Sequence, residues 1–419
     1  MRKMQLLIAM LLSTAAIQAA NPVKITVFNS LDTPRDGEMV EISLKQLQAK
    51  LGDSSGIIIT DADGQEVPSQ QTYDGKLLFQ VGVGAKGKSI YYAKSGTPAT
   101  YESKVFGRQF PERVDDMAWE NDRVAFRCYG PALERSGERA WGYDIWNKRT
   151  DQLIVEARYS GELDPEVASV CRKLRQSGLG DLADDLYNAV SYHVDHGNGM
   201  DCYKVGPTLG AGTAALLVND SKVILYPHCY QSYEILDCGP LRFTVRLTYA
   251  QREVEGQQLT ETRIISLDAG SQMNKVVVSY LGLQKPMPLA VGIVVHNENL
   301  SAYVVNENAG YMGYEDLGDP NQYKVKYRAL QNKDFGKIYV GAVYTERPVK
   351  IYYKEDEGLP GAQGHVLGVA NYRPTTNFTY YFGSGWSRNP STSFHSLTDW
   401  EAYLSVFSKQ VKTPLKVKF

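Results

Sequence analysis

Between residues 223 and 382 the sequence is a succession of short runs rich in Val, Ile, Thr, Tyr and Phe, each cut off by Gly, Pro, Asn or Asp. The runs fall at 223–226, 241–249, 260–267, 275–280, 289–295, 323–327, 337–343, 349–353, 365–372 and 379–382, with one more at 123–129. β-branched and aromatic residues suit a pleated surface, and turn residues at this spacing leave no room for long helices. The pattern therefore restricts the region from about 106 to 419 to an antiparallel sandwich or barrel.

The chain before it reads as a smaller β module over 21–100. Alternation marks strands at 22–29 and 39–43, further strands are expected at 56–60, 76–83 and 88–93, and Asp61-Ala62-Asp63-Gly64 supplies a turn. Residues 1–20 have the order of a secretory leader: Arg2 and Lys3, an apolar run from Leu6 to Leu12, then small residues to Ala19 and Ala20. Cleavage near Ala19 or Ala20 and a periplasmic or secreted location are expected. Helix is sparse. Asp164-Pro165 opens one segment that Gly178 ends, a second is expected over 181–190, and Ser396 with Asp399 caps a third. In that third helix Trp400, Tyr403, Leu404 and Phe407 form a stripe expected to pack on a sheet.

A net charge of -2 gives no basic excess to attract nucleic acid or anionic membranes, and no later run is apolar enough to span a bilayer. Five cysteines lack any C-x-x-C spacing; Cys229 and Cys238, flanking an expected hairpin, are the one pair considered for a disulfide. The 28 Tyr against 12 Phe hint at a sugar ligand, since an aromatic with a polar tip suits both the C–H faces and the hydroxyls of a pyranose.

Three polar clusters could carry chemistry. The densest runs from Ser191 to Thr213 and holds His193, Asp195, His196, Asp201, Tyr203 and Lys204 among glycines that allow backbone close to a ligand. Its histidines can be read as ligands of a divalent metal, as acid and base around a sugar, or as loop-shaping groups bonded to the backbone. H-x-x-H lacks the i, i+4 geometry of helical zinc sites, so no metal or other cofactor is expected. In the second cluster, strand alternation over 123–129 puts Arg123, Arg127 and Tyr129 on one face, facing either a uronate or sulfated sugar or an internal partner among Glu120, Asp122 and Glu134. The third, Trp141-Gly-Tyr-Asp-Ile-Trp146, offers rings for stacking a pyranose or for filling a core.

The stretches Trp119 to Pro131, Trp141 to Trp146 and Tyr192 to Gly212 resemble the signatures of domain-of-unknown-function family 4861, and the likeness spans nearly the whole chain after the leader. The resemblance implies a galactose-mutarotase-like β-supersandwich, related to that of many polysaccharide lyases, with the small N-terminal β-sandwich in front. It also implies the company of Bacteroidetes enzymes that dismantle uronate-containing glycans, and from that company a lyase or dehydratase acting by β-elimination on an oligosaccharide or polysaccharide. On that reading Arg127 holds the substrate carboxylate, with Tyr129, Asp195 and Asp201 also contacting sugar. His193, His196, Tyr143, Tyr203 and Lys204 share the proton transfers, and Trp141 stacks the ring. The alternatives are a glycoside hydrolase using two of Asp144, Asp195 and Asp201, an aldose epimerase, and a glycan-binding module without catalysis.

Overall fold

The computed structural model describes residues 21–52, 56–318 and 334–419. The expected leader over 1–20 and the expected strand at 323–327 lie outside the described residues. The chain is mainly antiparallel β with few short helices.

Two sheets packed face to face form the larger body. The five-stranded one is centred on Ala211–Val218, Met287–His296 and Ala362–Tyr372. The nine-stranded one includes Arg242–Tyr249, Gln257–Asp268, Met273–Leu281, Phe378–Trp386, Lys337–Tyr344 and Tyr311–Leu317. Along Gln257–Asp268 buried positions alternate with partly exposed ones, as a half-buried strand requires. Leu216, Val291, Ile293 and Val366 meet Val245, Ile265, Val276, Val340 and Phe382 between the layers. Each such side chain contributes about 1.5–3 kcal/mol on burial. A further sheet, from Val105–Phe110 to Asp144–Lys148, packs its Met117, Trp119 and Phe126 into the same core.

The N-terminal strands form a three-stranded and a five-stranded sheet around Ile25, Val27, Ile42, Leu77 and Phe79. The chain's last strand, Lys416–Lys418, leaves the larger body and pairs with Val23–Phe28. Arg35 reinforces that return, donating to the carbonyls of Thr413 at 2.6 Å and Gln410 at 3.2 Å.

Local signals place the helices. Asp164 accepts from the amides of Glu166 and Val167 to start Pro165–Gln176, and Ser396 accepts from Asp399 N to start Leu397–Lys412. Trp400 and Leu404 are buried on the long sheet, with Trp400 Nε1 donating to the Val340 carbonyl at 3.0 Å. Gly341 makes that approach possible, because a Cβ there would lie 2.7 Å from Leu404 Cδ2. The helix Val155–Glu162 carries no such signal in its own sequence. Its first amides, Ile154 N and Val155 N, are capped by the buried carboxylate of Glu120, which is 35 residues away from Val155 and also pairs with Lys148 Nζ at 2.7 Å.

The considered disulfide is absent, and all five cysteines are free. Cys229 and Cys238 stand at opposite ends of the extended run Tyr230–Cys238, roughly 30 Å apart at the usual rise per residue, and a bridge needs Cα atoms within about 7 Å.

Lys148 and Glu120 are both fully buried. Lys148→Met leaves Glu120 without its counter-charge, and denaturant unfolding is expected to show a loss of about 3–5 kcal/mol. A loss near that of an ordinary surface substitution would contradict the pairing.

Candidate functional site

Arg127 sits opposite Asp144 in the register of Ala125–Cys128 with Asp144–Lys148. Its Nε donates to Asp144 Oδ2 and its Nη2 to Asp201 Oδ2, each at 2.6 Å, and Asp116 lies 3.9 Å from Nη1. Tyr129 donates to Asp144 at 2.6 Å and Tyr159 to Asp116 at 2.9 Å. Arg127 is 7 % exposed and Asp144 and Asp201 are 2 % exposed. The guanidinium expected to hold a substrate carboxylate is therefore engaged by the protein's own carboxylates. Its partners are also different from those anticipated: Glu120 serves Lys148, Asp122 accepts from Gly270 N, and Glu134 meets His228 and Gln231. Burial pushes Asp116 and Asp144 up to about 6 against the pull of Arg127. Burial, then the Asp144 charge, drives the Tyr129 phenol well above its usual range. The expected sugar contacts of Arg127, Tyr129 and Asp201 are corrected by this enclosure, as is the use of Asp144 and Asp201 as a hydrolytic pair.

Tyr143 is likewise interior. Its ring stacks on Phe382 at 4.3 Å, its hydroxyl accepts from Arg263 Nη1 at 3.2 Å, and it is 1 % exposed, so it has no route to a substrate. His193 Nδ1 lies 3.0 Å from the Asp201 carbonyl and His196 Nε2 lies 3.1 Å from that of Ser191, which is the loop-shaping arrangement rather than a proton relay. Asp195 accepts from Gly197 N and Gly199 N at 2.9 and 3.1 Å and pairs with Arg388 and Arg149, so its carboxylate also organises the loop. Gly199, at φ +115°, is needed because a Cβ would collide with the Asn147 carbonyl; the close approach is to the chain itself, not to a ligand. Trp141 packs parallel to His228 at 5.3 Å and against Tyr226 at 5.0 Å and remains partly exposed, away from the His296 depression's lining. Among the described residues no three His, Cys, Asp or Glu side chains converge as a metal site.

The remaining pair, Tyr203 and Lys204, leads to a different place. Lys204 lines a small surface depression of about 20 Å³, room for about one water, with Cys202, His296, Glu298, Asp316 and Gly318. His296 ends the strand Met287–His296 just past a register shift between Val295 and His296, an irregularity that re-aims a side chain. Asp316 comes from Tyr311–Leu317 and lies 3.0 and 3.1 Å from His296 Nδ1 through its two oxygens. The Tyr314 hydroxyl accepts from His296 N at 3.2 Å. Burial opposes a charge on the imidazole, yet Asp316, with help from the Lys204 carbonyl, raises its pKa above the usual value. The charged form of the ring is thus stabilised relative to a free imidazole.

Around this pair lie groups with no structural employment. The Tyr203 ring stands edge-on to His296 at 5.6 Å, and its buried hydroxyl has no hydrogen-bond partner among the described residues. The Lys204 ammonium crosses over Gly361, where a Cβ would collide with it, and no carboxylate among the described residues lies within ion-pair reach. His365 backs the site as a neutral ring: burial, then the His296 charge, lowers its pKa to about 3, and Nε2 accepts from Leu209 N at 3.1 Å. An anchored imidazolium, an unpaired ammonium and the exposed carboxylate of Glu298 can together bind an anion, give a proton and take one. His296 and Asp316 escaped the sequence reading, in which His296 stood alone at the end of an apolar run.

The chain is 28% identical over 430 residues to "Uncharacterized protein P7" of Formosa agariphila, covering 98% of this chain and 96% of that protein. Among solved structures it resembles an alpha-mannosidase from Enterococcus faecalis V583 (TM-score 0.45, 9% identity, 94% of this chain). It also resembles a glycosyl hydrolase family 38 protein from Enterococcus faecalis (TM-score 0.43, 9% identity, 95% of this chain). The chain spans 45% and 47% of the length of those two. Residues 27–417 match the family described as "Domain of unknown function (DUF4861)", and the chain belongs to that family.

Proposed function

We propose that this protein is a carbohydrate-active enzyme that acts on uronate-containing oligosaccharides by β-elimination, as a lyase or dehydratase, with the depression at His296 as its centre. The observation that carries the reading is the convergence there of the His296–Asp316 pair with an ammonium that has no carboxylate partner among the described residues. Export through the leader would place this chemistry outside the cytoplasm, where such glycans are met.

Elimination needs a counter-charge for the carboxylate whose α-carbon loses a proton, because enolate-like charge builds there. Lys204 supplies it. Glu298 takes the α-proton; the C–O bond at the β-carbon breaks with its electron pair going to oxygen; and that oxygen takes the proton that His296 now shares with the Lys204 carbonyl. Asp316 keeps the imidazole oriented and charged until then. A double bond conjugated to the carboxylate remains in the product. Glu298 returns its proton to solvent and His296 takes one back, which restores the starting charges of both.

Ultraviolet absorbance of that double bond, with the product mass, reads the reaction on a panel of oligouronides. His296→Gln is expected to lower kcat/KM by roughly 10²–10⁴-fold, and Lys204→Met to lower kcat as well as raise KM, because the charge it offsets builds in the transition state. New reducing ends without the chromophore would instead identify a hydrolase, and binding without turnover a glycan-binding module. The pH profile gives a separate check. A raised His296 pKa keeps the acid protonated to higher pH, and its activity is lost as pH climbs through that pKa. Asp316→Asn removes the stabilising charge, so the alkaline limb of kcat moves to lower pH; an unmoved limb would exclude His296 as the acid.

A further inference from the structure

A second cavity lies away from His296. It is a cleft of about 540 Å³, within the range of small-ligand sites, between the strand Arg35–Ser43, the turn 268–273 and the helix Leu397–Lys412. Its walls are held firmly. Arg242 donates to Glu41 at 2.6 Å and to Asp268 at 2.5 and 2.9 Å, and Arg35 pairs with Glu38 at 2.5 Å while gripping the chain's return at Gln410 and Thr413. Other lining groups are left over. Among the described residues the carboxylate of Asp36, the ammonium of Lys275, the hydroxyl of Tyr381 and the side-chain amide of Gln410 have neither hydrogen-bond nor ion-pair partner.

One wall is aromatic: Phe407 meets Tyr381 edge-on at 5.2 Å and lies parallel to Tyr403 at 6.0 Å. Half-buried rings beside uncommitted donors and acceptors match a ligand that is apolar on its faces and hydroxylated at its rim. The charges narrow the choice. Glu38 is matched by Arg35, and Glu41 and Asp268 by Arg242 and Lys76, which leaves Asp36 and Lys275 as the uncommitted charges of the lining, a balance that offers a uronate no net counter-charge. We propose that this cleft is a second glycan-binding site and that it takes a neutral oligosaccharide. Asp36 and Gln410 bond ring hydroxyls, Lys275 and Tyr381 donate to ring or glycosidic oxygens, and Phe407 stacks a sugar face. The site uses both the N-terminal strands and the last helix, so it exists only in the whole chain. It does not depend on the elimination reading.

Isothermal titration of the mature protein with neutral tetrasaccharides from xylan, galactan, mannan and glucan, and with tetragalacturonate, tests it. At least one neutral tetrasaccharide is expected to bind, with affinity falling about tenfold or more in Phe407→Ala and in Asp36→Asn. The Asp36 substitution is conservative and exposed, so it separates lost contacts from lost fold. His296→Gln is expected to retain the neutral sugar while losing elimination. Absence of binding by every neutral tetrasaccharide overturns the proposal, as does unchanged binding in both Phe407→Ala and Asp36→Asn. Neutral-sugar binding that Phe407→Ala and Asp36→Asn abolish, in a protein that never forms an unsaturated product, upholds this site and sinks only the elimination reading.

Discussion

Taking a guanidinium, an ammonium or a carboxylate out of water costs several kcal/mol unless opposite charge goes with it, and the sheet that runs from Val105 to Lys148 buries all three kinds. Arg127 is met by Asp144 and Asp201, Lys148 by Glu120, and Arg263 on the neighbouring layer by Glu261 at 2.6 Å. The Arg127 and Lys148 pairs join segments distant in sequence, so satisfying these charges also decides how the sheet, the helix Val155–Glu162 and the loop after Tyr192 sit together, whereas Glu261 and Arg263 lie two residues apart on one strand. The same constraint separates structural from chemical groups. Asp144 and Asp201 are taken up by Arg127 in this way, whereas among the described residues the Lys204 ammonium has no carboxylate partner and the Tyr203 hydroxyl and Arg127 Nη1 have no hydrogen-bond partner.

Much of the fold was legible because its causes are local. Alternation along 257–268, the Asp164-Pro165 start and the Ser396 cap each act within a few residues, and the strands and helices appear where those signals stand. The helix Val155–Glu162 was not legible, since its N-terminus is capped by Glu120 from another strand. Nor was the pairing of Lys416–Lys418 with Val23–Phe28, a contact between the two ends of the chain. The Cys229–Cys238 pairing failed for the opposite reason: the reading put a turn where the strand Tyr230–Cys238 runs straight on.

The site followed the same division. Arg127 and Asp201, which lie in two separate polar stretches of the sequence, meet in one cluster with Asp144, and whether such a cluster faces water or the chain depends on long-range packing. His296 gave no signal because its meaning comes from Asp316, which arrives on a separate strand, and from a bulge that turns the ring at the strand's end. A histidine after an apolar run looks like any core residue until its partner is placed.

The two polar clusters are nevertheless physically connected. Asp201 is fastened to Arg127, and the next residue, Cys202, receives a hydrogen bond from Asn147 at 3.2 Å and already lines the depression. Tyr203 and Lys204 follow directly. Side chains on a loop hold a catalytic geometry only if the backbone that carries them is fixed, and here the fixing is done on one side by the buried guanidinium and on the other by the Asp195 turn with its two arginines. On the proposed reading Arg127 would act through position alone: its ion pair with Asp201 fixes the backbone that leads to Tyr203 and Lys204, beside His296.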